Sequence, residues 1–235
     1  RMSRGLGDVY KRQEMGFAVQ RALGGLCFCL GLELVLLCGA ELFTGNALMV
    51  LGKVSGKISG RGLVRNWTIV WCGNFVGAVA IAALIFGSNL QALNGGAVGD
   101  AMVSLAVGKV TPAWHILFFK GVLCNLLVCL GVLAAASARE TPGRLMGAFL
   151  PVCFFVLCGF EHSVANLYYI GAALMAAAVP QYASLAAAAG VDLAPLTLTG
   201  AASNLVPVTL GNILGGAGLA LLLWYCHLKQ GGTPS

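Results

Sequence analysis

Phe160-Glu161-His162-Ser163 places three side chains capable of acid–base or nucleophilic chemistry in a row, inside a run of apolar and small residues from Leu145 to Val179. Ionisable groups at membrane depth cost roughly 2.5 kcal/mol or more, so they mark substrate paths and proton relays. Histidine changes charge nearest neutral pH, which makes His162 the candidate for handling protons. On a regular helix Glu161 and His162 would point about 100° apart and could not face one lumen together. A helix break at this point removes that constraint, and it exposes the first amide groups of the helix that follows, which attract anions. A related segment, Glu41-Leu42-Phe43-Thr44-Gly45-Asn46, lies in an earlier apolar run, with Gly45 and Asn46 suited to a non-helical turn. Two half-helix N-termini converging near the midplane predict a site for something small and anionic, or able to become so. Ser163 beside His162 leaves an intramembrane hydrolase as a rival, although a nucleophile and its base must meet through space and sequential neighbours seldom do.

The elements that position these residues are membrane spans. With 59% hydrophobic and 9% charged residues, and a mean hydropathy of +0.89, the 235-residue chain lies outside the range of soluble domains. Asn66 to Phe86, Ala113 to Ala138 and Ala201 to Cys226 are each long enough to span once. Ala22 to Leu51 and Leu145 to Val179 exceed one untilted span of about 20 residues and carry acids in their interiors. These two read as broken spans, because irregular backbone at membrane depth is tolerated only where protein encloses it or a cavity adjoins it.

Basic residues cluster. Lys53, Lys57, Arg61 and Arg65 fill one short loop, Arg139 and Arg144 a second, and Lys229 follows the last span, whereas the loops 87–112 and 180–200 hold only Lys109. By the positive-inside rule the first group is cytoplasmic, and so is the C-terminus. The net charge of +6 therefore needs no nucleic-acid partner. All nine cysteines lie in apolar segments, and the spacings of Cys124 with Cys129 and of Cys153 with Cys158 match no common zinc pattern. They read as buried thiols, and neither a metal nor another cofactor is expected.

Asn66-x6-Gly73-Asn74-x2-Gly77 recurs as Asn204-x6-Gly211-Asn212-x2-Gly215, each following a broken span. The order of broken span, then Gly-Asn span, twice over, is an internal repeat, and the charge-based orientation makes it inverted. The glycines have the small-xxx-small spacing of close helix packing. An ordinary span, Ala113 to Ala138, precedes the second broken stretch; the first has no such partner. Residues 1–13 are basic and polar and resemble a translated adapter, so they are excluded as a scar. The expected fold is an all-α polytopic membrane protein, an inverted 3+3 helix repeat with two broken helices. The first helix of that parent is expected to be missing here, with residues 14–235 forming one transmembrane domain.

Glu41-Leu-Phe-Thr-Gly-Asn46, Lys120-Gly-Val-Leu-Cys-Asn125-Leu-Leu-Val-Cys129, Gly159-Phe-Glu-His-Ser-Val-Ala-Asn166 and Asn204-Leu-Val-Pro-Val-Thr-Leu-Gly-Asn212 together resemble the formate/nitrite transporter family of prokaryotic anion channels. The resemblance extends from about Gly24 to His227. It implies an aquaporin-like six-helix protomer with its own pore, assembled as a homopentamer in the prokaryotic cell membrane. It implies transport, not catalysis, of small monovalent anions and their conjugate acids, formate first and nitrite or hydrosulfide next, with proton-coupled, histidine-assisted passage. By position His162 matches the central pore histidine, Thr44 its hydroxyl partner, Asn125 and Glu161 the groups that orient or tune the ring, and Lys109 a vestibule lysine that gathers anions. Phe28, Leu32, Leu42, Phe43 and Phe155 match the apolar rings that constrict the pore. Glu33, where an apolar residue is expected, and Lys120, able to snorkel along its stem, depart from the pattern, as does Leu-Tyr-Tyr-Ile-Gly after Asn166, which lacks a proline. A neutral-solute pore of the water or glycerol type is the other rival; its Asn-Pro-Ala pair is absent, and it would leave His162 unexplained.

Overall fold

The computed structural model describes residues 2–228. Arg1 of the expected scar and Lys229 of the charge argument lie outside the described residues. Every regular element among the described residues is helical: α1 (Met2–Cys38), a 3-10 turn (Gly45–Met49), α2 (Val50–Val54), α3 (Gly60–Gly87), a second 3-10 segment (Leu90–Gly96), α4 (Ala97–Val110), α5 (Trp114–Ser137), α6 (Thr141–Leu157), α7 (Ser163–Ala177), α8 (Pro180–Ala188) and α9 (Leu198–Leu223). Four stretches are long and apolar enough to cross a membrane, Ala18–Cys38, Gly60–Gly87, Trp114–Ser137 and Leu198–His227. α7 and α8 together form a bent pair with an angle of 102°.

The spans break at Glu41 and at Glu161, while Glu33 stays within α1. α1 ends at Cys38 and α6 at Leu157, and each is followed by a glycine at positive φ, Gly39 at +67° and Gly159 at +68°, a conformation that favours glycine. Beyond each glycine an amide reaches back five residues, Ala40 to the carbonyl of Val35 and Phe160 to that of Phe155, both at 3.0 Å. This is the Schellman closure of a helix C-terminus.

The repeat register extends to the bonds that follow. The Phe43 amide donates to Oδ1 of Asn74 at 3.0 Å and the Ser163 amide to Oδ1 of Asn212 at 2.9 Å. The Asn46 side chain donates to that of Asn66 and the Asn166 side chain to that of Asn204, both at 2.8 Å. The repeat thus aligns Glu41 with Glu161, Leu42 with His162 and Asn46 with Asn166.

The copies then diverge. After its break the second copy continues into the 15-residue α7, whereas the first makes a 3-10 turn and the five-residue α2, so the half-helix expected there is a single turn of α-helix. Gly45 and Gly52, weak helix formers, fall within this stretch, and Gly56 at φ +72° closes it. The loops 87–112 and 180–200, read from sequence as connections, contain helices α4 and α8.

The described chain divides into two compact units, one built from residues up to Glu41 with Leu126–Phe160, the other from Leu42–Asn125 with Glu161 onward. In the first, α1 runs antiparallel to α6. A Cβ on Gly25 would lie 3.0 Å from the carbonyl oxygen of Cys153, and the Cys29 thiol donates to the Phe149 carbonyl at 3.3 Å. Arg21 donates to the carbonyl of Val156 in the last turn of α6 at 3.4 Å, a favourable place for a cation.

In the second unit, Val103 and Ala106 of α4, Ala173 and Ala176 of α7, Tyr182 and Ala186 of α8, and Leu196 form a buried cluster. There α9 lies so close on α5 that Cβ atoms on Gly211 and Gly215 would collide with the carbonyls of Phe118 and Val122. The matching Gly73 and Gly77 of α3 have nothing within 4 Å of a Cβ among the described residues, so the packing role expected for all four glycines is seen for the second pair alone.

Candidate functional site

His162 has extended backbone, φ −110° and ψ 114°, and is the N-cap of α7. Its Nδ1 accepts from the Ala165 amide at 3.1 Å, and its Nε2 lies 2.9 Å from Oγ1 of Thr44. Thr44 is fully buried and His162 nearly so, at 6% exposure, so the contact that joins the two broken segments is a buried one. Both ring nitrogens are thus engaged by groups other than Ser163, whose buried Oγ has no hydrogen-bond partner and whose amide is held by Asn212. A Ser163–His162 nucleophile–base pair is not formed.

Asparagines hold the break in place. Asn125 of α5 donates to the carbonyls of Thr44 at 3.0 Å and Asn212 at 2.6 Å. Asn212 of α9 donates in turn to the carbonyls of Gly121 at 2.8 Å and Glu161 at 3.0 Å. Asn125, expected to orient or tune the ring, holds the backbone carbonyl of the ring's partner Thr44. The amides expected to stay unpaired at the start of α7 are largely taken by protein, those of Ser163 by Asn212 and of Ala165 by His162 itself, which weakens the anticipated pull of this helix end on anions.

Glu161 and Lys109 meet at this site. Nζ of Lys109, in the last turn of α4, forms a 3.0 Å ion pair with Oε2 of Glu161, the two side chains being 13% and 8% exposed. The lysine expected to gather anions and the carboxylate expected to tune the ring are thus paired with each other. Asn166 donates to the same Oε2 at 2.7 Å and to Asn204, and Asn204 donates to the backbone carbonyl of Lys109 at 2.7 Å, closing a ring of four residues. The Tyr169 ring lies 5.5 Å from Nζ, within cation–π range. Sequence reasoning missed Asn166, Asn204 and Asn212 as organisers of the site, although the places of Asn204 and Asn212 in the repeat motif were a signal. The Ala165 amide left no signal at all.

Among the described residues Oδ1 of Asn125, Oδ1 of Asn166 and Oγ of Ser163 are buried without a protein partner. Buried polar oxygens ordinarily find one, and here water or a passing solute is what can supply it.

The apolar residues fall in both units. In the first, Phe28 and Phe155 meet edge to face with ring centroids 5.4 Å apart, and Leu32, one turn beyond Phe28, is 5% exposed. In the second, Phe43 is buried edge to face on Trp67 with centroids 6.5 Å apart, and Leu42 is half-buried. Glu33 is half-buried on α1, Glu41 is exposed, and half-buried Lys120 meets the site through its backbone, its carbonyl accepting from the Glu161 amide at 3.4 Å.

Residues 6–226 match the model of the family described as formate/nitrite transporter. The chain is 37% identical to the formate channel FocA of Escherichia coli strain K12 over 220 residues, covering 92% of this chain and 77% of that protein. It is likewise 37% identical to a probable formate transporter of Methanothermobacter thermautotrophicus, covering 88% of this chain and 75% of the other. Among solved structures, a pentameric formate channel with formate bound superposes with a TM-score of 0.82 at 36% identity, covering 91% of this chain and 85% of that one. An ion channel of the same family superposes at 0.71 with 29% identity, covering 96% and 93%. These relatives are channels and transporters, not enzymes. The match along nearly the whole chain, over the broken spans just described, makes this protein a member of the formate/nitrite transporter family and a multi-pass protein of the prokaryotic cell membrane.

Proposed function

We propose that this chain conducts formate across the cell membrane and that His162, held against Thr44, is the group that handles the proton. The observation that carries the reading is the buried 2.9 Å contact between the His162 ring and the Thr44 hydroxyl, made where the two repeat copies meet. Moving a bare anion through apolar constrictions is expensive, while its neutral acid crosses far more cheaply. The anion therefore gains a proton near His162 and crosses as formic acid; Leu42 and Phe43 are the candidate constriction residues of the unit that carries His162, and Phe28, Leu32 and Phe155 those of the other unit. Nitrite and hydrosulfide, also small monovalent anions with weak conjugate acids, are secondary substrates.

The Lys109–Glu161 pair has a different task from the one expected of a free cation. It is close to neutral as a unit, so its effect on a distant anion is small, and its strength lies in holding the segment that carries His162. Asn125 does the same for Thr44. Five copies assemble around an axis, as the solved pentameric relative does, and the distribution of basic loops supports a cytoplasmic C-terminus.

Proteoliposome swelling tests the reading. Vesicles containing the protein are expected to swell faster than empty ones in ammonium formate and at the empty-vesicle rate in iso-osmotic glycerol. Equal acceleration in both solutes would assign the pore to neutral molecules and overturn the proposal.

A further inference from the structure

The amide of Ala165 donates to Nδ1 of His162 at 3.1 Å. An amide N–H can only donate, so Nδ1 must present a lone pair, and the neutral ring carries its proton on Nε2. That N–H is aimed at Oγ1 of Thr44, 2.9 Å away. A hydroxyl can donate or accept, so Thr44 suits either form of the ring and does not choose between them. The choice is made by the helix: His162 occupies the N-cap position, where a side-chain acceptor ordinarily takes the amide two or three residues on. In the first copy the matching residue is Leu42, which has no acceptor, and the turn that follows has no side-chain cap. The cap is therefore confined to the copy that carries the histidine.

We infer that the Ala165 amide is a positioning group that fixes His162 as its Nε2-protonated tautomer and ties any further protonation of the ring to the loss of the α7 cap. This deepens the proposed proton role of His162 and rests on it. In its resting form the ring is a hydrogen-bond donor toward the Thr44 side. A proton taken from solvent can add only to the Nδ1 lone pair, giving an imidazolium whose new N–H faces the Ala165 N–H. The cap bond then breaks, and the ring or the first turn of α7 moves. Transfer of the Nδ1 proton to the anion yields the neutral acid and the Nε2-protonated neutral ring, and the cap re-forms.

The charged groups around the ring leave this argument to the cap. Glu161, on the same segment, is paired with Lys109 of α4. Lys120 of α5 approaches through its carbonyl, and Tyr169 of α7 lies by Lys109. Thr44, Asn125 and Asn212, from the other elements packed here, carry no charge.

Nitrogen-15 NMR of the full chain in lipid bilayers at neutral pH, with ring-labelled histidine, reads the tautomer directly. The His162 signals are those lost in His162→Gln. They are expected to comprise an unprotonated Nδ1 and a protonated Nε2 in the wild type, and to remain so in Thr44→Val. In Ala165→Pro, which removes the donor at a first-turn position where a helix tolerates proline, mixed tautomers are expected. A wild-type ring protonated on Nδ1, or a tautomer that changes in Thr44→Val, overturns the inference; both are decided even if Ala165→Pro does not fold. The spectra are read without transport, so a failure of formate flux leaves the tautomer result standing, and the reverse holds too.

Discussion

Asn212 holds the amide of Ser163 on its side-chain oxygen at 2.9 Å while its side-chain nitrogen bonds the carbonyls of Gly121 and Glu161. One fully buried amide thus serves three backbone groups on two elements. Replacing it with leucine takes this partner from the Ser163 amide and the Glu161 carbonyl at the break, each at about 1–3 kcal/mol, while the Gly121 carbonyl keeps its place in the α5 ladder. Asn212→Leu is therefore expected to lower the unfolding temperature in detergent far more than Asn74→Leu at the matching, half-buried position. Equal losses would mean that the two copies of the repeat are clamped alike.

The Lys109–Glu161 pair gives a stability test with a sign. Removing one partner of a buried pair leaves an uncompensated charge, at about 3–5 kcal/mol, whereas removing both is often close to neutral. Lys109→Met should thus destabilise the protein strongly, and Lys109→Met combined with Glu161→Gln should recover much of the lost unfolding temperature. Formate flux need not recover with it, because the double variant restores neutrality and not the orientation of the break. A double variant no more stable than Lys109→Met would show that the pair matters through packing, not charge.

His162→Gln keeps a side chain able to donate and accept hydrogen bonds but unable to take up a proton near neutral pH. Stopped-flow uptake of formate by the wild type in liposomes is expected to rise as external pH falls, since proton delivery then becomes easier. In the glutamine variant the pH-dependent part of the flux should disappear beyond what the change in free formic acid accounts for. Wild-type pH dependence in that variant would remove His162 from the proton path.

The breaks were legible from sequence because acids inside apolar runs have no other inexpensive place, and the repeat was legible because Asn66, Asn74, Asn204 and Asn212 sit at equal spacings around glycines. What those asparagines do was not. The partner of Asn166 is 38 positions away and that of Lys109 is 52 away, and no local pattern encodes such pairings. Helices α4 and α8, of 14 and 9 residues, are each too short to span a membrane, so a search for spans did not single them out. The amides at the start of α7 follow from a general property of helix ends, yet the side chains of His162 and Asn212 had already claimed two of them.

The glycines separate what spacing suggests from what contact decides. Gly73 with Gly77 and Gly211 with Gly215 share one motif, but a methyl group on Gly211 or Gly215 runs into a backbone carbonyl of α5, while one on Gly73 or Gly77 meets nothing within 4 Å. Backbone cannot turn aside as a side chain can, so α9 must move away from α5, a displacement that spreads to Asn125 and Asn212 between them. Overpacking of this kind costs about 1–3 kcal/mol and sometimes more. Gly77→Ala has no such collision and gains helix propensity, about 0.8–1 kcal/mol relative to glycine. Gly215→Ala is accordingly expected to lower the unfolding temperature in detergent and to reduce formate flux, with Gly77→Ala unchanged or slightly more stable. Were Gly77→Ala as damaging as Gly215→Ala, α3 would have to be packed in the membrane against a neighbour as closely as α9 is packed against α5.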